Sequence, residues 1–291
     1  MLRRRSSLGL ATAACLLPAL LAAWSTLASQ PQVTPPRERA ATDRRAGEGA
    51  DTSERGDFSF TRVEYDSTGG FREAYYFYEG RLWQRWETDH PQADENFVFR
   101  LAELTSVVPN PRSVTRRLTD PDLTSFPFLY FSDVGWMTLD DAEVAALRDH
   151  LLRGGFLWVD DFWGLAEWNT WEQEMARVLP EVRWRDIPTD HQILRMLFPL
   201  EEMPQIPARD FAESGWTHDP PEIHRWPAYG IERGNFRGWF DDEGRLMAVA
   251  SHNTDIADGW EREAYGQWYF EKYSTVAYAL GVNIVLHGLV H

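Results

Sequence analysis

Residues 128–161 read FLYFSDVGWMTLDDAEVAALRDHLLRGGFLWVDD, and their pattern decides the fold. Phe128 to Phe131 is a short continuous apolar run, as a strand covered on both faces requires. Thr138, with Asp141 three residues later, has the form of a helix capping box. Val144, Leu147 and Leu151 then make one apolar stripe, and Gly154-Gly155 stops the helix. Phe156 to Val159 is a second fully apolar run, and it ends at Asp160-Asp161. Strand, helix and strand with short connections predict a βαβ unit, hence parallel pairing with a right-handed crossover. The Phe156–Val159 strand is predicted to be central.

Outward from this unit the same alternation continues. Phe60 to Tyr65 reads as a strand closing in the turn Asp66–Gly70, and Phe97, Leu101 and Leu104 give helical spacing after Asp94. Val114 to Leu118 is a further strand. A helix is expected near Thr170, with Gln173 as its box partner, Trp171, Met175 and Val178 on its buried face, and Pro180 beyond its end. Val182 to Asp186 reads as a strand, and residues 199–230 are rich in proline and carry no period. Asp241 to Gly244 supplies a hairpin turn before the strand Leu246–Ala250, and Val276, Leu280 and Ile284 begin a terminal helix. The expected fold is α/β, a three-layer parallel sheet with a C-terminal hairpin addition and a terminal helix, over residues 58–291.

Two segments precede that domain. Residues 1–28 combine Arg3-Arg4-Arg5 with the apolar run Leu8 to Leu27 and the small residues Thr26 and Ala28, the pattern of a secretory signal peptide or an uncleaved membrane anchor. Residues 29–57 hold prolines, glycines and charges with almost nothing apolar, and are expected to be a disordered linker. The arginines remain inside under the positive-inside rule, so the domain is expected to be periplasmic or otherwise extracytoplasmic, with membrane contact only through the N-terminal segment. The one cysteine, Cys15, falls in that segment, which leaves the domain without thiol or disulfide chemistry. A formal charge of −16 argues against nucleic acid as a partner.

Several stretches carry a resemblance: Phe126-Pro-Phe-Leu-Tyr130, Gly154-Gly-Phe-Leu-Trp-Val-Asp-Asp161, Asp190-His191, Met203-Pro-Gln-Ile-Pro207 and Gly281-Val-Asn-Ile284. With them the chain from Phe58 onward resembles the bacterial domain-of-unknown-function family 4159. That family looks like the class I glutamine amidotransferase-like superfamily, which implies a flavodoxin-like three-layer sheet. The resemblance places a nucleophilic cysteine after the strand Phe156–Val159, where this sequence has Asp160-Asp161. No Cys-His-Glu triad carries over. The resemblance also implies, by association alone, a protein partner in the cell envelope.

Open parallel sheets bind ligands beyond the carboxyl ends of their strands. Asp160 and Asp161 leave a buried strand there, and adjacent residues point apart, so one of the two is expected to face a crevice; alternatively one caps a helix and the other pairs with an arginine. His191, after Asp190, is a candidate base, metal ligand or structural group. His252 and Asp255 follow the last strand, with Asp258 and Glu261 a little beyond. Asp94, near Asp89-His90, is either a pocket residue or a helix cap. The candidate pocket is thus Asp160, Asp161, His191, His252, Asp255 and Asp94. No cofactor is expected, and the signal for a divalent metal is weak because no HxH or HExxH pair is present. The tryptophans, 14 in all, serve as core and rim or as sugar-stacking surfaces. The expected function is a non-catalytic ligand- or partner-binding domain, with a carboxylate- and histidine-based hydrolase, metal-assisted and acting on a substrate such as a saccharide, as the alternative. A protein with no cysteine beyond Cys15 cannot form the amidotransferase thioester. Purified full-length chain should release no ammonia from glutamine above a matched blank, and release that persists through purification would refute this.

Overall fold

The computed structural model describes residues 56–78, 80–207, 212 and 234–290. The signal and all but the last two residues of the linker expected over 1–57 lie outside them, as does most of the proline-rich stretch 199–230. Among the described residues seven strands form the main sheet: β1 (Thr61–Val63), β2 (Val114–Arg116), β3 (Phe128–Ser132), β4 (Phe156–Asp160), β5 (Arg185–Asp186), β6 (Asn235–Phe240) and β7 (Leu246–His252). Their spatial order is β2-β1-β3-β4-β7-β6-β5. The first five in that order are parallel, whereas β6 returns antiparallel to β7 and β5 antiparallel to β6. The chain is therefore α/β with a mostly parallel central sheet, compatible with a flavodoxin-like fold, and strand order reverses between β1 and β3.

Side-chain alternation along the strands builds two cores. Phe128, Tyr130, Phe156 and Trp158 point to one face, where α1 (Gln92–Leu104), α4 (Ile256–Glu261) and α5 (Thr275–Val290) cover them through Phe97, Trp260, Leu280 and Ile284. Leu129, Phe131, Leu157 and Val159 point to the other, under Leu147 and Leu151 of α2 (Asp141–Leu152) and Trp171 and Met175 of α3 (Gly164–Val178). Burial on both faces explains why β3 and β4 read as continuous apolar runs. Five paired positions, from Phe128 with Phe156 to Ser132 with Asp160, fix their register. The helical run Gln267–Val290 is long and apolar enough to cross a membrane by length and composition, yet 61% of its apolar window is buried within the domain. Gly281 lets α5 approach closely, since a Cβ there would come within 2.6 Å of the Trp260 ring.

Three expectations need correction. The helix expected to be capped by Thr138 starts instead at Asp141, because Asp140 and Glu143 form the reciprocal box. The helix expected near Thr170 starts at Gly164: the Glu167 carboxylate accepts from Trp163 N–H, and the Asn253 side chain accepts from Gly164 N–H. Glu167 is local, four residues on, but Asn253 is a tertiary partner that local sequence could not supply. Strand β5 spans only Arg185–Asp186, and a two-stranded ribbon, Tyr75–Tyr78 with Arg81–Gln84, occupies a stretch with no expected element.

Arg62 on β1 is a fully buried charge. Its guanidinium grips Asp94 on α1 at 2.6–3.2 Å and donates to the backbone carbonyls of Trp86 and Thr88. Burial pushes the Asp94 carboxyl up, but Arg62 and His90 overcome this and hold it at about 2. Removing one partner strands the other charge. Asp94→Ala should cost about 3–5 kcal/mol in urea unfolding. Arg62→Met with Asp94→Leu should recover only part of that loss, because the carbonyls of Trp86 and Thr88 then lack their donor; full recovery would show that the loop contacts contribute nothing.

Candidate functional site

The carboxyl ends of the parallel strands carry an unusual backbone. The four described non-glycine residues with positive φ are Asp89, Asp133, Asp161 and Asn253, at 53° to 62°. Asp133, Asp161 and Asn253 immediately follow β3, β4 and β7, and Asp89 lies in the loop from β1 to α1. Residues held in this sparsely populated region persist only where their surroundings fix them. Here each turns a short polar side chain at one edge of the sheet.

The turn at Asp161 separates the two adjacent aspartates. Asp160 is fully buried and points inward. Its carboxylate accepts from Ser251 Oγ at 2.7 Å, from Ala257 N at the start of α4, and from Tyr130 Oη at 3.3 Å. Ser251 in turn accepts from the Trp158 indole. Asp160 thus ties β3, β4, β7 and α4 together. Asp161 is half-buried, accepts from Trp163 Nε1 at 3.1 Å, and faces Asp89 and Asp255. One ligand oxygen from each of Asp89, Asp161 and Asp255 lies within 4.8 Å of the other two. A second set with the same spacing joins Asp89 to Asp258 and Glu261 of α4. Asp89 Oδ2 is buried and accepts no hydrogen bond from the described residues.

The other expected site residues are not brought together there. Asp94 belongs to the Arg62 pair, within the first turn of α1 rather than at its cap. His252 is buried and has both ring nitrogens in use: Nε2 lies 3.0 Å from the Gly164 carbonyl, and Nδ1 lies 3.2 Å from Arg237 Nη1. Because a guanidinium can only donate, Nδ1 is the acceptor and Nε2 carries the proton. Burial pushes this imidazole down to about 3. His191 sits at the opposite edge of the sheet. Its ring meets Phe240, which pairs with the first residue of β7, and His287, which in turn meets Phe156 at the start of β4. It caps a short turn by accepting from Ile193 N–H. Of the six expected residues, Asp161 and Asp255 join the cluster. Asp89, Asp258 and Glu261 complete it, marked in the sequence only by their nearness to Asp94 and Asp255.

A family profile described as a domain of unknown function, DUF4159, matches residues 60–289. The chain belongs to the DUF4159 family. A search among curated proteins gives no match. The matched span of this DUF4159 chain contains every strand and helix labelled above except the last residue of α5.

Electrostatics set the acidic edge apart. Burial, then Glu261, Asp258 and Asp161, pushes the Asp89 carboxyl well above its usual range. Burial, then Asp133 and Asp160, does the same to Asp161; burial, then Asp161 and Asp89, does so to Asp255. Burial raises Asp160 to about 7 and, against the Arg85 ion pair, raises Asp133 to about 6. A carboxyl with a raised folded pKa holds its proton in the native state after the unfolded chain has lost it. Its stabilising contribution is complete below the unfolded value, about pH 4, and is lost as pH rises through the folded value, about 6 for Asp133 and about 7 for Asp160. His150 and His252, pushed by burial to about 4 and about 3, act in the opposite sense, gaining stability as pH rises toward 6.5. The carboxyls outnumber them. In metal-free buffer the melting temperature should fall from pH 5 to pH 7, and Asp161→Asn should reduce that fall. A melting temperature that rises across this interval would contradict the reading.

Proposed function

We propose that this DUF4159 protein is a cation-binding domain of the cell envelope, taking a divalent ion at the carboxyl edge of its sheet through Asp89, Asp161 and Asp255. The observation that carries the reading is convergence: three carboxylates from three separate loops crowd within 4.8 Å, all with raised proton affinity, and one of them has a buried oxygen without a partner. Uncompensated charge of this kind is costly, and a cation offsets it. Donors that are all oxygen suit hard ions such as Mg²⁺, Ca²⁺ or Mn²⁺.

Binding is favoured over hydrolysis because no histidine belongs to either carboxylate set, and His252 and His191 are engaged elsewhere. The finer fold reading remains flavodoxin-like and related to class I glutamine amidotransferases. Strand order β2-β1-β3-β4-β7 supports it. So does Asp161, at φ 55°, on the turn where that likeness would put a nucleophile. Extracytoplasmic placement rests on Arg3 to Arg5 and the run Leu8 to Leu27.

The test is thermal unfolding of the full-length chain with Mg²⁺, Ca²⁺ or Mn²⁺ after chelation. A specific ion at about 100 times its Kd should add about 2.7 kcal/mol. Sodium chloride at matched ionic strength should not reproduce the shift, and Asp161→Asn should remove most of it. If no divalent ion shifts the transition more than salt does, the reading fails.

A further inference from the structure

The carboxylates around Asp89 form two sets that share it. One is Asp89, Asp161 and Asp255; the other is Asp89, Asp258 and Glu261. Asp161 comes from the turn after β4, and Asp255 ends the loop after β7. Asp258 and Glu261 stand three residues apart on α4, hence on one face of that helix. A carboxylate has two oxygens, and one that belongs to two donor sets has the arrangement of a bridge. Ions bridged in this way stand about 3.5–4 Å apart.

A second observation is independent of the acids. Ser132 is fully buried, and its Oγ has no hydrogen-bond partner among the described residues. Phe128 and Tyr130 point from β3 to the face covered by α1 and α4, and Ser132, two residues further on, points there too. It ends β3 beside its register partner Asp160, whose carboxylate receives the N–H of Ala257 from α4. The Ser132 hydroxyl therefore aims from the sheet toward the space between the start of α4 and the loop bearing Asp89. Asp89 Oδ2, from that loop, is a further buried polar atom without a hydrogen-bond partner among the described residues. Leaving such a group unmet is costly. A hydrated cation between them would satisfy both.

We infer that the crevice holds two divalent cations bridged by Asp89, the first bound by Asp161 and Asp255 and the second by Asp258 and Glu261. The inference rests on the cation-binding reading above. The two positions are unequal. Arg262 lies 3.2 Å from Asp258 Oδ1 and 2.8 Å from Glu261 Oε2, so the second ion shares its carboxylates with a guanidinium. Fewer uncommitted ligand charges give weaker binding. The first ion therefore binds tightly, and the second binds more weakly under the control of Arg262.

The experiment counts Mn²⁺ ions on the full-length chain by equilibrium dialysis and reads their coupling by electron paramagnetic resonance. Two ions of unequal affinity are expected, and filling the second should broaden the six-line spectrum of the first by exchange. Glu261→Gln should reduce the count to one. Arg262→Gln, which removes the competing charge, should tighten the second ion by about tenfold and leave the first unchanged. A count of one in the unmodified chain overturns the dinuclear centre while leaving the single-ion reading intact, whereas a count of zero overturns both. Two ions without exchange broadening, two that persist in Glu261→Gln, or an Arg262→Gln chain with no gain in second-ion affinity would each overturn the placement.

Discussion

Arg62 is the charge that the rest of the carboxyl edge depends on. It has no access to water on β1, so its charge must be met by protein, and Asp94 meets it from the first turn of α1. The remaining guanidinium hydrogens go to the carbonyls of Trp86 and Thr88. Those bonds fix the segment that leads into Asp89. The Thr88 hydroxyl and Arg85, on the same segment, both reach Asp133 after β3. One desolvated cation thus sets the height of α1, the path of its preceding loop and the position of a neighbouring strand end. Asp160 does the corresponding work on the other side, drawing the start of α4 onto β4 through Ala257. Asp94 and Asp160 spend their oxygens inside the protein, and in doing so they leave Asp89, Asp161 and Asp255 pointing at one another.

This division of labour shows what the sequence could and could not disclose. The βαβ unit was legible because its signals are local: two apolar runs, an amphipathic helix and a glycine stop, all within residues 128–161. Centrality of β4 followed from its unbroken apolarity, and the structure places it fourth of the seven strands. The hairpin at Asp241–Gly244 was equally local, and β6 and β7 flank it. The start of α3 was hidden, since one of the two side chains that hold it, Asn253 on Gly164 N–H, lies 89 residues away.

The site was half legible for the same reason. Position after a buried strand pointed to Asp160 and Asp161, but the positive φ of Asp161 decides which joins the carboxylate cluster, and nothing local fixes it. Asp94 and Asp89 lie five residues apart in one loop and helix start. Choosing between them required knowing that Arg62, an unremarkable strand arginine in the sequence, is buried opposite Asp94. His191 was drawn into the candidate pocket by a strand expected over Val182–Asp186. The strand there, β5, runs in the same direction as β7 and ends at the carboxyl edge, but the chain then turns back and sets the His191 ring against Phe240 and His287.

The aromatic core and the acidic edge are two sides of one constraint. Phe60, Tyr130, Trp158 and Trp260 pack ring against ring on the α1 and α4 face. Aromatic packing of this kind contributes strongly to stability, and the domain has no disulfide to supplement it. The same packing reaches Asp160, through the Tyr130 hydroxyl directly and through Trp158 by way of Ser251, and it keeps water from the floor of the edge there. Carboxylates over such a floor see a medium that solvates charge poorly, which is why burial is the first cause of every raised value in the cluster. A polar floor would have stabilised the ionised acids with water and removed the incentive to hold anything else. The apolar floor makes protons or a multivalent cation the ways of neutralising them, and near neutral pH protons are scarce. On the cation-binding reading proposed above, the core that stabilises the sheet also creates the demand for a ligand at its edge, and it does so without a residue that a short sequence motif would reveal.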